Sequence, residues 1–457
     1  MRPSCFLLPL LALLAAPLPA DEPTVAAAEP ILGKRYDQLA LLDFPDQHYA
    51  LYLPEGARER PFPLLVVLDP RGRALDALER FLPTASRLGW IVASSYESRS
   101  DEGSERNAQT LPALLTDLQK RVVVNDRRVY FAGFSGTARA AYTLAVALGE
   151  HAGGVIANCG GLPPGEEATK HDFAYFGATG TLDFNYAEMS RLESAFARLG
   201  MARRFEVFAG EHSWGPPEMM RRALLWLELQ AMKKKLRPQD PALIAELLAL
   251  DLARAEALPE ALARFEAYEQ IERDFTGWAE LGDLPARRAA LAQDTALLAA
   301  RKEREKRLDL EAGYPLKIAE WQRAFVETEL PLPLNKSLAM LLVPSLQAAA
   351  AGESPAALSA QRRLRQAFSE ASHYLPTRLE NESRLRHLAA SLELATAIRP
   401  EVAWAHIELA RAELRIGREK EARRAFARGL ELGYAKMDVI AGDEYLAKLQ
   451  KLVAAQP

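Results

Sequence analysis

Cysteine is almost absent, with Cys5 and Cys159 the only two in 457 residues. Cys5 lies in an N-terminal stretch expected to be removed, so an internal disulfide is excluded and the fold must rest on its hydrophobic core. A charge of one sign is lacking too: 57 Lys and Arg stand against 61 Asp and Glu, a net charge of −4. Without a basic excess there is no electrostatic footprint for nucleic acid, and no such partner is expected. Histidine is sparse, and His151, His171, His373, His387 and His406 show no metal-ligand spacing. Neither a metal nor another cofactor is expected. Beyond the first residues no apolar run approaches the length needed to cross a bilayer, so stable membrane insertion is not expected either.

The first residues, MRPSCFLLPLLALLAAPLPADEP, place Arg2 ahead of an apolar stretch over 6–16 and end on the small Ala20 before acidic residues. This is the pattern of a cleaved export signal over 1–20, followed by a linker over 21–35. Cys5 precedes the apolar region and does not form a lipid-attachment box. The expectation is a soluble exported protein, periplasmic or secreted.

At about 100–200 residues per domain, a chain of this length holds two or three. From 36 to 235 short apolar runs alternate with amphipathic ones. The runs HYALYLP, PLLVVLDP, WIVASSY, RVYFAGF, GGVIANCG, FAYFGATG and RRFEVFAG read as strands, and 111–122, 137–148, 187–199 and 218–235 read as helices. Buried strands joined by helices predict an α/β domain built on a doubly wound, mostly parallel sheet, with its site at the carboxyl ends of the strands. After Lys233-Lys234-Lys235 the composition turns to Ala, Leu, Glu and Arg, which predicts an all-α domain over 236–457. Within it, Leu409, Ala410, Gly417, Ala422, Phe426 and Gly429 fall where a tetratricopeptide repeat (TPR) sets its packing residues, and Ala261 and Phe265 match part of that pattern near 247–271. The resemblance is to TPR helix hairpins, without a continuous period, and it implies a groove for a peptide or protein partner. The stretch RRAALAQDTALLAARKEREKRLDLEA reads as one long surface helix whose charges are solvated.

Acyl transfer by a serine needs a hydroxyl, a base, a carboxylate that orients the base, and donors for the developing oxyanion. Ser135 follows the strand VYFAGF and precedes a helix, as a nucleophile on a tight turn must. Gly133 leaves room for strand and helix to approach, and Gly136 offers its N–H at the helix start as an oxyanion donor. A helix-capping serine would occupy the same place. His212, in FEVFAGEHSWGPP, lies on the loop after the last strand, where a base can reach across to the serine; a surface-loop histidine is the plainer alternative. Asp183, in GTLDFNY, leaves the preceding strand and is better placed than Asp172 or Glu188 to hold the imidazole, although it also suits a simple turn. In LLVVLDPRG, Arg71 and Gly72 are the candidates for a second oxyanion donor, with Asp69 marking the turn. Cys159 reads as a small buried hydrophobe, since no histidine is close in sequence. The polar loop 94–107 leaves a strand on the same edge and is a candidate to shape a substrate pocket, though solvent exposure explains its composition equally well.

Taken together, VYFAGFSG, GTLDFNY and GEHSW, with LDPRG in support, resemble the α/β-hydrolase superfamily, in particular small esterases related to the polyhydroxybutyrate-depolymerase, feruloyl-esterase and phospholipase/carboxylesterase groups. The order Ser, Asp, His is that of the superfamily. The resemblance covers 36–235 and implies Ser135 as nucleophile, His212 as base and Asp183 as orienting acid, acting on a small or polymeric ester through an acyl-enzyme. Thr137 departs from the usual glycine, and its branched side chain is expected to crowd the turn, to be met by a shifted turn or a small neighbour. Two other readings stay open at this point. In one, a weakened or inactive hydrolase fold serves as an interaction module through its TPR-like part; in the other, a serine peptidase uses the same triad.

Overall fold

The computed structural model describes residues 33–100 and 104–454. The expected export signal, all but the end of the linker, and part of the 94–107 loop lie outside the described residues. Within that loop's span the helix Ser104–Arg121 has already begun. Among the described residues no helix is long and apolar enough to cross a membrane.

Eight strands form one sheet: β1 (Lys34–Ala40), β2 (His48–Leu53), β3 (Phe62–Leu68), β4 (Ile91–Ser95), β5 (Val124–Phe134), β6 (Ala152–Asn158), β7 (Ala174–Gly180) and β8 (Arg203–Phe208), in the order β1-β2-β4-β3-β5-β6-β7-β8. The β1–β2 and β2–β4 pairs are antiparallel, and every pair from β4–β3 to β7–β8 is parallel. Strand β3 shows why the sequence takes this form. All seven of its residues are buried, because helices cover both sheet faces and neither alternate set of side chains meets water. Leu65 and Val67 join one core with the helices Ala74–Glu79, Leu82–Leu88 and Pro217–Lys233; Leu64, Val66 and Leu68 join a second with Ser104–Arg121, Gly136–Leu148 and Tyr186–Arg198.

The chain divides into two compact units, 1–303 and 304–457. The change of composition after Lys235 therefore does not coincide with the limit of the compact unit. The helices Pro241–Ala257 and Ala261–Phe275 supply Leu247, Tyr268, Ile271 and Phe275 to the core of the first sheet face. They are also tied to the sheet electrostatically. Arg204 on β8, fully buried, meets Asp251 at 2.6 Å and Asp274 at 2.9 Å, while Glu206 on the same strand meets Arg222 at 2.5 Å. A buried guanidinium needs such partners, and here they come from the helices that follow the expected boundary.

The second unit, as far as it is described, is helical. Its helices Ala403–Arg415 and Glu419–Glu431 pack with Ala410, Ala422 and Phe426 fully buried. The long helix expected over 287–312 is instead interrupted: Leu284–Ala292 ends and Thr295–Val326 begins. Asp294 makes the break, its carboxylate accepting the N–H of Ala296 at 2.8 Å in place of a helical turn.

Candidate active site

Strand β5 delivers Ser135 directly into the helix Gly136–Leu148. The turn is tight enough to force Ser135 to φ 56°, ψ −124°, a region that non-glycine residues rarely occupy. Its N–H donates to Asn158 O at 2.8 Å, which fixes the backbone against the end of β6. Its side chain does not cap the helix. Instead the hydroxyl lies 2.8 Å from His212 Nε2.

The other imidazole nitrogen, His212 Nδ1, lies 2.9 Å from Asp183 Oδ1. A carboxylate only accepts, so Nδ1 carries the proton and Nε2 is left to accept from Ser135. Asp183 is fully buried, and it also accepts the N–H of Asn185 at 2.9 Å and the hydroxyl of Thr179 at 3.2 Å. The imidazole itself is about one-fifth exposed and lies between Phe184 and Phe134, with ring centroids 4.3 and 4.7 Å away. Of the alternatives weighed for Asp183, Glu188 is engaged elsewhere, pairing with Arg139 and accepting the N–H of Gly161 at 3.0 Å, and Asp172 is exposed.

Thr137 does not crowd the elbow. Its Oγ1 accepts the N–H of Phe134 at 3.1 Å and lies 2.8 Å from the carbonyls of both Leu68 and Phe134, with one proton to donate between them. The small neighbour is Gly133: a Cβ there would stand 2.2 Å from the Thr137 carbonyl. The strand and the helix backbone thus touch at Gly133, leaving the threonine side chain free to stitch β3 to β5.

The loop after β3 is built around Asp69. Its carboxylate accepts the Arg71 N–H at 2.9 Å, the Arg73 guanidinium at 2.9 Å and the Trp214 indole N–H at 3.2 Å. Burial works against its charge, but these three donors outweigh it and hold the group below the usual aspartate range. Gly72 N–H donates to Asp69 O at 3.1 Å. Both expected donors, Arg71 and Gly72, therefore have partners within their own loop. Gly136, on the first helical turn, has no intrahelical acceptor for its N–H. The loop is nonetheless bound into the site, because Trp214 follows His212 by two residues and bonds Asp69.

Sequence distance concealed the place of Cys159. Its sulfur, the Asp183 carboxylate and a His212 nitrogen all lie within 4.8 Å of one another, a donor set of the kind a thiophilic ion takes. The thiol donates to Ser213 O at 3.1 Å, and Nδ1 is already spent on Asp183. Burial, reinforced by Asp183, pushes the thiol well above its ordinary pKa, so it is no thiolate nucleophile at neutral pH. Asn158, Asn185 and Thr179 carry no sequence signal that would have placed them here.

The sheet order, the antiparallel start and the elbow after β5 define the first unit as an α/β-hydrolase fold. No protein-family model matches the chain, and no curated protein matches it. Among solved structures, it is similar to the S-formylglutathione hydrolase of Staphylococcus aureus, at 15% identity over 44% of this chain and 99% of that one, with a TM-score of 0.35. It is also similar to a thermostable esterase, at 16% identity over 43% of this chain and 62% of that one, with a TM-score of 0.34. A third is the S-formylglutathione hydrolase of Agrobacterium tumefaciens, at 15% identity over 40% and 88% of the two chains, with a TM-score of 0.32.

Proposed function

We propose that this protein is a serine hydrolase that cleaves carboxylic esters through an acyl-enzyme on Ser135. One observation carries the reading: Ser135 Oγ, both nitrogens of His212 and Asp183 Oδ1 form an unbroken hydrogen-bonded run of 2.8 and 2.9 Å. In the first half-reaction Ser135 Oγ attacks the ester carbonyl while its proton passes to His212 Nε2. Asp183 stabilises the imidazolium that results. The oxyanion is met by the Gly136 N–H, with a second donor from the Arg71–Gly72 peptide once that loop exchanges an internal partner for substrate. Nε2 then protonates the departing alcohol, and water enters by the same route in reverse to release the acid.

The inactive-module alternative rested on Thr137, and the hydrogen bonds of that residue withdraw its support. Export is proposed from the N-terminal apolar segment, and a peptide or protein partner from the TPR-like pattern around 404–432.

A fluorophosphonate probe tests the proposal, comparing the wild type with Ser135→Ala. Labelling of the wild type that vanishes in the variant, together with hydrolysis of short-chain esters, is the expected result. A folded wild type that neither labels at Ser135 nor cleaves any member of a broad ester panel overturns it, and cleavage of amides in preference to esters would reassign the chain as a peptidase.

A further inference from the structure

Three strand ends and one loop meet at the last residue of β6 and the residue after it. Asn158 O accepts the Ser135 N–H at 2.8 Å, and Asn158 Oδ1 accepts the Gly215 N–H at 3.2 Å. Cys159 Sγ donates to Ser213 O at 3.1 Å, while Cys159 O accepts from Asn185 Nδ2 at 2.7 Å. Cys159 N–H donates to Ala178 O on β7 at 2.7 Å. Both residues are fully buried, and Cys159 sits at φ 54°, in the left-handed region a side chain disfavours. That turn lets its N–H face one neighbour and its carbonyl another. Gly160 follows so closely that a Cβ there would lie 2.4 Å from Ser135 O.

These bonds reach all three members of the hydrogen-bonded run. Ser135 is held by its own N–H. Asp183 is held through Asn185, whose N–H also donates to Asp183 Oδ1. His212 is followed by Ser213 and then, two residues on, by Gly215, and each of these is fastened to the same dipeptide. Backbone bonds survive most substitutions, so what the identities Asn158 and Cys159 add is the grip on the histidine loop.

We propose that Asn158 and Cys159 are positioning residues that align His212 with Ser135 and Asp183, Asn158 through its amide oxygen on Gly215 and Cys159 through its thiol on Ser213. The inference rests on the ester-hydrolase reading. Neither side chain touches substrate; each acts by keeping the imidazole within reach of both partners, where a shift of about 1 Å is worth about a hundredfold in rate.

The test uses the full chain and the variants Asn158→Ala, Cys159→Ala and Cys159→Ser. Readouts are kcat and KM for a short p-nitrophenyl ester, the rate of fluorophosphonate labelling at Ser135 between about pH 5 and about pH 9, and the melting temperature. Both alanine variants are expected to lose about ten- to a hundredfold in kcat and in labelling rate with KM little changed. Loosened contact with Asp183 destabilises the imidazolium, so the acid limb of the profile should move to lower pH. Cys159→Ser, which keeps a donor for Ser213 O, should recover most of the rate and the wild-type limb. Variants that melt earlier while kcat per labelled site and the acid limb stay put would overturn the inference, leaving only a packing role. If Asn158→Ala does not fold, the contrast between Cys159→Ala and Cys159→Ser decides alone. A wild type unreactive at Ser135 overturns both this inference and the reading beneath it, whereas a reactive wild type with unaltered variants overturns this inference only.

Discussion

The hydroxyl of Thr137 reaches the backbone carbonyl of Leu68 at 2.8 Å, so the residue that departs from the usual elbow pattern bonds the helix to the end of β3. The departure therefore stabilises the turn it was expected to strain. Thr137→Val keeps the volume but leaves the Phe134 N–H and the Leu68 carbonyl short of a partner. It should lose about 1–3 kcal/mol in urea denaturation. Thr137→Gly should be destabilised too, with turnover near the wild-type value; a faster enzyme with unchanged stability would show that crowding governs after all.

Asp183→Asn preserves shape but replaces a pure acceptor with a group that can offer either an oxygen or an amide N–H to His212. With its oxygen on His212 and Asn185 and its amide on Thr179, whose hydroxyl can also accept, the contacts are kept but the charge that stabilises the imidazolium is lost. A fall of about 10⁴ in kcat is expected, with the fold intact by circular dichroism. A loss of less than tenfold would mean that another carboxylate orients the base.

Gly72 tests the loop after β3. It sits at φ 66°, and a Cβ would lie 2.2 Å from the Tyr96 carbonyl, so Gly72→Ala must shift the loop. If that loop lends a backbone donor to the oxyanion, activity should fall by up to about 10²–10³. Arg71→Ala retains the N–H and should change kcat little. The reverse ranking would assign the effect to the guanidinium and not to the peptide.

The buried cluster on β8 sets a pH dependence of stability. Burial opposes the charge of Glu206, but Arg254, Arg222 and Arg204 outweigh it and hold the group below the ordinary glutamate value. A depressed carboxylate contributes stability above its unfolded pKa and loses it as pH falls through its lower folded value. Asp251, raised by burial, acts with the opposite sign, its contribution fading as pH rises. Glu206→Gln should therefore cost about 3–5 kcal/mol near neutrality, where the arginines are left short of charge. The gap to the wild type should begin to narrow as pH falls through the ordinary glutamate range and close only below the depressed folded value of Glu206. A gap that does not vary with pH would mean that Glu206 is held by packing alone.

Much of the sheet was legible because seven strands, β2 to β8, are apolar runs whose ends carry turn residues. Strand β1 was not: KRYDQLA is largely exposed at the sheet edge and has no buried face to impose a pattern. The short helices Ala74–Glu79 and Leu82–Leu88 were missed because each is under two full turns and too brief to show a period. Ser135, His212 and Asp183 could be placed because each follows a strand in a fixed order. The partners of Asp69 and the grip of Asn158 and Cys159 could not, since they join positions up to 145 residues apart. Such contacts leave no local spacing to read. The limit of the first unit was hidden for the same reason: Asp251 and Asp274 look like ordinary helix-surface acids until Arg204 is found beneath them.

The backbone of Ser135, at φ 56° and ψ −124°, makes the proposed nucleophile a place where the fold gives up stability. A side chain held at such angles stores about 1–3 kcal/mol, which Ser135→Ala retains and Ser135→Gly releases. Glycine ordinarily ranks below alanine by roughly 0.5–1 kcal/mol. Here the order should invert, so that of the two variants lacking the hydroxyl the glycine one melts later, and its excess over alanine measures how much tension the native fold keeps at Ser135.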